Sequence, residues 1–358
     1  MADPAAKGMK PLSIIYLLFL SFHAVSSAGT RSLESNNPIQ PRIVGGRIAD
    51  RSRYPYAQVS IHDWRGHACG GSVIAPDIVM SAGHCSEATN KVYVGVYNVS
   101  DLSGNVEEFE PERTIVHDRY NDYTQEFDVM LIKLDGMVTV TDPVRINDDS
   151  RIPFIKEQVT TLGWGAIEVS ESESESVYPD LLHDVDLDYI PNTVCQRIAD
   201  EEGVALGRWI FDDMMCAAGA EHSGERNERD ACYGDSGGPL LKLGSNPSED
   251  VVVGIVSWGL DCGGIHPGVY HRSSSTYRWV RDTVCYLSDA PPDSFKCNTP
   301  APTPSPSYGE TPAPTEPPTP FTSVTTSNHT LTSSSPSLNL SMSMRLLGIM
   351  PAVMVYFI

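Results

Sequence analysis

Ser236 sits in the stretch ACYGDSGGPL, with glycine at 234, 237 and 238 and an aspartate, Asp235, immediately before it. A serine hydroxyl is a weak nucleophile at neutral pH. It needs a neighbouring base, and that base needs a third group to orient it. Glycines around such a serine let backbone N–H groups come close to a substrate carbonyl, where they stabilise the developing oxyanion. Two other stretches offer the missing partners. MSAGHCSEA places His84 beside Cys85, and EFDVMLIKL places Asp128 at the mouth of an apolar run. Taken singly, a histidine next to a cysteine or an aspartate opening a strand is a structural commonplace. Together the three residue types describe acyl transfer through an activated serine.

Residues so far apart in sequence need a framework. From Ile43 to about Leu287 the chain alternates short β-branched runs (AQVSI, KVYVGVY, DVMLIKL, VVVGIVSWG) with glycine and proline punctuation, the pattern of an all-β sandwich or barrel. Thr276, Val280 and Val284 recur at i, i+4 and predict one closing helix. The 358 residues suffice for two ordinary domains or for one large all-β domain with appendages. A formal net charge of −21 argues against nucleic acid as a partner.

The appendages have their own signatures. Lys7 and Lys10 precede an apolar run from Leu12 to Leu20 and small residues up to Ala28, which is the order of a secretory signal peptide over 1–28. The apolar run falls short of the roughly 20 residues of a membrane span. A polar segment, 29–42, ends in Arg42 before Ile43-Val44-Gly45-Gly46. Beyond the 43–289 region, 290–345 is rich in Pro, Thr and Ser and reads as a disordered stalk. The chain ends in an apolar run, 346–358, behind Ser333-Ser334-Ser335 and a polar spacer. This suits the signal for a glycosylphosphatidylinositol (GPI) anchor or an incidental tail on a soluble secreted enzyme, with a short transmembrane tail as the remaining alternative. Eight cysteines in a secreted chain are expected to form disulfides, with about 105 pairings open to arithmetic alone. No zinc-type cysteine spacing occurs, so neither a metal nor another cofactor is expected.

The order His84, Asp128, Ser236, together with IVGG, HACGGSVI, GWG, GDSGGP, SWG and PGVY, resembles the chymotrypsin-like (trypsin-type) serine protease family over roughly 43–287. The resemblance implies a double β-barrel with a C-terminal helix, and a zymogen of an endopeptidase. His84 is then the base, Asp128 its orienting partner and Ser236 the nucleophile, with the N–H groups of Gly234 and Ser236 as oxyanion hole. It also implies that Asp230 lies at the base of the primary pocket, walled by Ser257, Trp258, Gly259 and Gly268, and selects Arg or Lys. Cleavage at Arg42-Ile43 would free an amine to pair with Asp235. The implied disulfides are Cys69–Cys85, Cys195–Cys216 and Cys232–Cys262, leaving Cys285–Cys297. Gly83 departs from the alanine common before the histidine, which predicts a looser seat for His84. Val96 stands where trypsin's calcium loop begins with an acid, so that loop is not expected, although Glu107 and Glu108 are near. Asn98, Asn328 and Asn339 are glycosylation sequons. Expected partners are protein or peptide substrates with Arg or Lys at the cleavage site and protease inhibitors. Any membrane contact runs through the C-terminal anchor, and the protein is expected to be a monomer. The loop carrying Glu168, Glu171, Glu173 and Glu175 reads equally as an acidic rim at the site entrance, which resists self-cleavage and disfavours acidic substrates, or as a disordered solvated loop. Two readings from other classes are a protease-fold binding protein that has lost catalysis, which the intact triad disfavours, and a surface adhesin.

Overall fold

The central runs of four to ten apolar and β-branched residues form strands here because they bury one or both faces in a curled sheet, whereas β-edge segments such as 47–48 and 111–116 stay largely at the surface. The computed structural model describes residues 45–168, 176–198, 206–219, 229–264, 266–297 and 356–357. The chain enters through β1 (Arg47–Ile48). It then builds one sheet from β2 (Val59–Asp63), β3 (Gly66–Ala75), β4 (Ile78–Ser81), β5 (Lys91–Val94), β6 (Glu107–Phe109), β7 (Pro111–Val116) and β8 (Met130–Leu134). The order across it is β6-β5-β2-β3-β4-β8-β7. The two outermost strands are one stretch of chain bent at Glu110, so covalent continuity, not a ladder of hydrogen bonds, joins the ends of the curl. All of β8 is buried, Lys133 included, and that ammonium donates to Asp77 at 2.5 Å and to Asp289 at 2.7 Å.

The second sheet contains β9 (Arg145–Ile146), β10 (Gln158–Gly163), β11 (His183–Ile190), β12 (Met214–Ala218), β13 (Pro239–Lys242), β14 (Val251–Gly259) and β15 (Gly268–Arg272). Its order is β1-β11-β10-β13-β14-β15-β12, and β12 also pairs with β11, which closes a six-stranded barrel. The all-β, double-barrel expectation therefore holds. The short α1 (Asn192–Cys195) precedes β12, and α2 (Ser273–Leu287) closes the domain, burying Thr276, Val280 and Val284 as their spacing predicted. No helix among the described residues is long and apolar enough to cross a membrane. The last described strand, β16 (Tyr356–Phe357), runs antiparallel to Trp258 and Gly259 at the end of β14.

All four expected disulfides are formed, with Cα separations of 6.3 Å for Cys69–Cys85, 6.4 Å for Cys195–Cys216 and 5.3 Å for both Cys232–Cys262 and Cys285–Cys297. Four bridges place the domain in an oxidising compartment. Arg42, Ile43, Asn328, Asn339, the leader expected over 1–28, residues 298–345 of the expected stalk and the acidic residues Glu171, Glu173 and Glu175 lie outside the described residues. Residues 290–297, expected to open the disordered stalk, instead belong to the domain, because Phe295 is buried against it and Cys297 is bridged to Cys285 in α2. Asn98 is half-buried, and its Oδ1 accepts from the Ser100 N–H at 2.9 Å.

Candidate active site

Each side chain of the site comes from a segment held at both ends. His84 opens a tight turn, Gly83–Ala88, directly after β4, and the Cys69–Cys85 bridge fastens that turn to β3. Asp128 stands at the entrance of β8, fully buried. Its Oδ1 accepts from the His84 backbone N–H at 2.9 Å, and its Oδ2 lies 2.8 Å from His84 Nδ1. A carboxylate facing Nδ1 fixes the ring proton there and leaves Nε2 as the basic nitrogen. The Ser257 hydroxyl, from β14 of the other barrel, donates to the same Oδ2 at 2.5 Å. Burial pushes the Asp128 carboxyl up. The charge of His84 and the hydrogen bonds from His84 and Ser257 outweigh it and hold the group below its ordinary range.

Gly83 explains its own departure from alanine. A Cβ there would lie 3.2 Å from both Asp128 Oδ1 and the Tyr120 ring. The space is taken by Tyr120, so the expected looseness of His84 does not follow.

The serine turn is pinned by both barrels. The Ser236 carbonyl accepts from the Gly70 N–H of β3 at 2.8 Å, and the Gly237 N–H donates to the Val256 carbonyl of β14 at 2.9 Å. Gly237 has φ +76°, and a Cβ on it would lie 2.1 Å from Ser81 Oγ. This position therefore requires glycine for conformation and for space alike. Gly234, at φ +95°, offers its carbonyl to His67 Nε2 at 2.9 Å, while His67 Nδ1 meets the Ser60 hydroxyl at 2.7 Å. Burial pulls the His67 imidazole down to about 4, so it is neutral at physiological pH. The N–H groups of Gly234 and Ser236 have no protein acceptor among the described residues. Ser236 itself is 6% exposed.

Asp230 and Asp235 are both buried. Asp235 accepts from the Gly165 N–H at 2.8 Å and the Cys232 N–H at 2.9 Å, and burial pushes its carboxyl up to about 7. Asp230 Oδ1 accepts from the Ala231 N–H at 2.9 Å, and Oδ2 faces the Gly263 N–H at 3.4 Å. Burial raises its pKa well above the ordinary value. Gly268 is required beside it, because a Cβ there would lie 2.6 Å from Asp230 Oδ1. The Cys232–Cys262 bridge ties the segment of Asp230 to the loop after β14, and Trp258, 2% exposed, continues β14 past Ser257.

Sequence reasoning placed Ser257 on the substrate wall and did not foresee that its hydroxyl donates to Asp128. Ser60, His67 and Tyr120 were missed, because nothing in their local sequence marks a partner on a distant strand. Among the described residues, the only side chains close enough together to share a metal ion are Cys69, His84 and Cys85, and the two cysteines are joined in a disulfide. Glu107 is engaged by Thr139 and Glu108 by Lys91.

The geometry can be set beside known proteins. A family model described as Trypsin matches residues 43–280. Trypsin I-P1 of Gallus gallus is 32% identical over 276 residues, covering 75% of this chain and 98% of that protein. Serine protease 28 of Mus musculus is 31% identical with the same two coverages, and anionic trypsin of Canis lupus familiaris is 32% identical over 68% of this chain and 90% of its own. With the family's barrels, disulfides and His–Asp pair all in place, this chain belongs to the trypsin family and is a serine endopeptidase acting on proteins or peptides.

Proposed function

We propose that the protein is the secreted zymogen of an endopeptidase that cleaves after Arg or Lys, with Ser236 as nucleophile, His84 as base and Asp128 as its orienting group. The Ser236 hydroxyl gives its proton to His84 Nε2 as Oγ attacks the scissile carbonyl. Oxygen charge is met by the Gly234 and Ser236 N–H groups. His84 then passes the proton to the leaving amine, an acyl-enzyme remains, and water reverses the sequence. The observation that carries this reading is the 2.8 Å pairing of His84 Nδ1 with a fully buried Asp128.

Specificity follows from Asp230, a fully buried carboxylate that faces the backbone N–H groups of Ala231 and Gly263 and has no Lys or Arg ion pair among the described residues. A substrate cation would supply the missing charge. Asp235, pushed up by burial, awaits a cation in the same way, and the Ile43 amine released by cleavage after Arg42 is the proposed one. Residues 1–28 act as the secretory leader, and the apolar tail is exchanged for a lipid anchor.

The test is labelling of the trypsin-treated protein by a fluorophosphonate, paired with hydrolysis of matched Arg, Lys and Phe peptides. Labelling lost in Ser236→Ala, and Arg or Lys cleavage lost in Asp230→Ser, is the expected result. A wild-type preference for Phe would overturn the pocket reading, and substantial hydrolysis by Ser236→Ala the nucleophile.

A further inference from the structure

One edge of β14 passes from the serine turn to the far end of the chain. Along it Pro239 of β13 faces Ile255. The Gly237 N–H then donates to the Val256 carbonyl, and the Val256 N–H donates to the Gly238 carbonyl, each at 2.9 Å. The turn carrying Ser236 leaves the sheet at this point, while on the opposite edge Trp258 stays paired with Val269 of β15. Trp258 and Gly259 thus continue past Ser257, whose hydroxyl donates to Asp128, with one edge left over beside the serine turn.

Strand β16 covers that edge. Phe357 faces Trp258 and Tyr356 faces Gly259 in antiparallel register. As its sequence advances, the strand therefore runs from Gly259 toward the serine turn. A bare sheet edge is a template for an extended chain, and the main-chain hydrogen bonds it offers hold any sequence. A peptide that presents a carbonyl to Ser236 while lying along Trp258 and Gly259 needs the same N–H and C=O groups. The two strands exclude each other.

The tail is suited to sit there without being consumed. Residues 346–358 contain no Lys or Arg, and the nearest basic residue before them is Arg345. An enzyme that cuts after Arg or Lys binds such a strand and leaves it whole. Reach is no obstacle, since a chain as long as 298–355 can extend far beyond the domain at about 3.4 Å per residue. Tethering makes the contact intramolecular, so even two paired residues compete with free substrate from an effective concentration of up to about 1 mM.

We propose that the Tyr356–Phe357 strand is an autoinhibitory element, which occupies the edge of β14 along which substrate lies until 346–358 leaves the chain. Exchange of that tail for a lipid anchor then frees the edge, so anchoring and unblocking are one event. This lock is separate from the Arg42-Ile43 bond: cleavage there orders the site, whereas loss of β16 opens it. This rests on the reading of Ser236 as the nucleophile and of Arg or Lys as the cleavage site.

The experiment uses the full-length chain made in a bacterial periplasm, where no lipid anchor is attached. Residues 38–42 are replaced by an enteropeptidase site, and Arg345→Gln keeps activation from detaching the tail. This form is compared with Tyr356→Pro/Phe357→Pro, which removes both backbone N–H donors of the strand, and with a chain ending at 345. Active sites are counted by fluorophosphonate titration, and kcat and KM are measured on an Arg peptide. The tail-bearing form is expected to show a KM about tenfold above both others at equal kcat, as for competition by a few backbone hydrogen bonds. Equal KM in all three forms overturns this inference alone, and so does a raised KM that the two prolines leave in place. Self-cleavage within 346–358 would make the tail a substrate and overturn it too. A KM that rises with enzyme concentration would assign the strand to a second copy and overturn the intramolecular contact. No labelling in any form overturns the Ser236 reading, and this inference with it.

Discussion

Replacing Asp235 with asparagine should affect the uncleaved chain oppositely at low and high pH. The carboxylate is buried, with only the Gly165 and Cys232 N–H groups donating to it, and burial raises it from 3.8 to about 7. Glycine at 163 and 165 leaves no room for relief, since a Cβ at either would lie 2.1 or 2.3 Å from a carboxylate oxygen. A folded-state pKa above the unfolded one means that the native chain binds the extra proton. The group's contribution to stability is therefore complete below about pH 4 and is lost as pH rises through 7. A shift of about 3 units corresponds to roughly 4 kcal/mol of stability lost by pH 8. Asparagine mimics the protonated carboxyl and never ionises. Whatever it costs at the two N–H groups is the same at both pH values, so the difference between them isolates the charge. Urea unfolding of the uncleaved protein, with Ser236→Ala as background to stop self-cleavage, measures this at pH 4 and pH 8. Asp235→Asn should be neutral or destabilising at pH 4, and more stabilising at pH 8 by about 4 kcal/mol. A pH-independent effect would show that Asp235 titrates normally in the uncleaved chain, and the argument for a new amine as its partner would fall. After cleavage the same substitution should abolish activity, because the amide cannot pair with the Ile43 ammonium.

Other outcomes follow from single contacts. Ser257→Ala removes a donor to the buried Asp128 carboxylate, and kcat/KM on an Arg peptide should drop about tenfold, as expected for one hydrogen bond to a charged group; unchanged kinetics would make that bond incidental. Gly237→Ala combines φ +76° with a collision at Ser81 Oγ, whereas Gly104→Ala has φ +90° and nothing within 4 Å. Thermal melts should show the first losing about 3 kcal/mol or more and the second only about 1–2, and equal losses would remove steric crowding as the cause. A phosphatidylinositol-specific phospholipase should release active enzyme from intact cells, and mass spectrometry of the mature chain should lack 346–358; recovering that peptide from most of the enzyme would leave the protease unanchored.

Much of the site was legible because its signals are local. GDSGGP brings Ser236, the proposed nucleophile, and its glycines within six residues, and Gly234 and Gly237 answer to backbone angles that other residues rarely adopt. Helix α2 was readable from Thr276, Val280 and Val284, because a helix repeats its buried face in sequence. The bend at Glu110 was not readable, since the same alternating residues suit one long strand or two. The second partner of Asp128 was equally hidden. Ser257 lies 129 residues away in the other barrel, and a serine in a strand carries no mark of the carboxylate it will meet. The same holds for Tyr120 against Gly83, Ser60 and His67 under Gly234, and His266 against Asp261. A chain specifies such pairs only by closing two sheets against each other, because a side chain's direction follows from its own backbone while its partner depends on the register and docking of another strand.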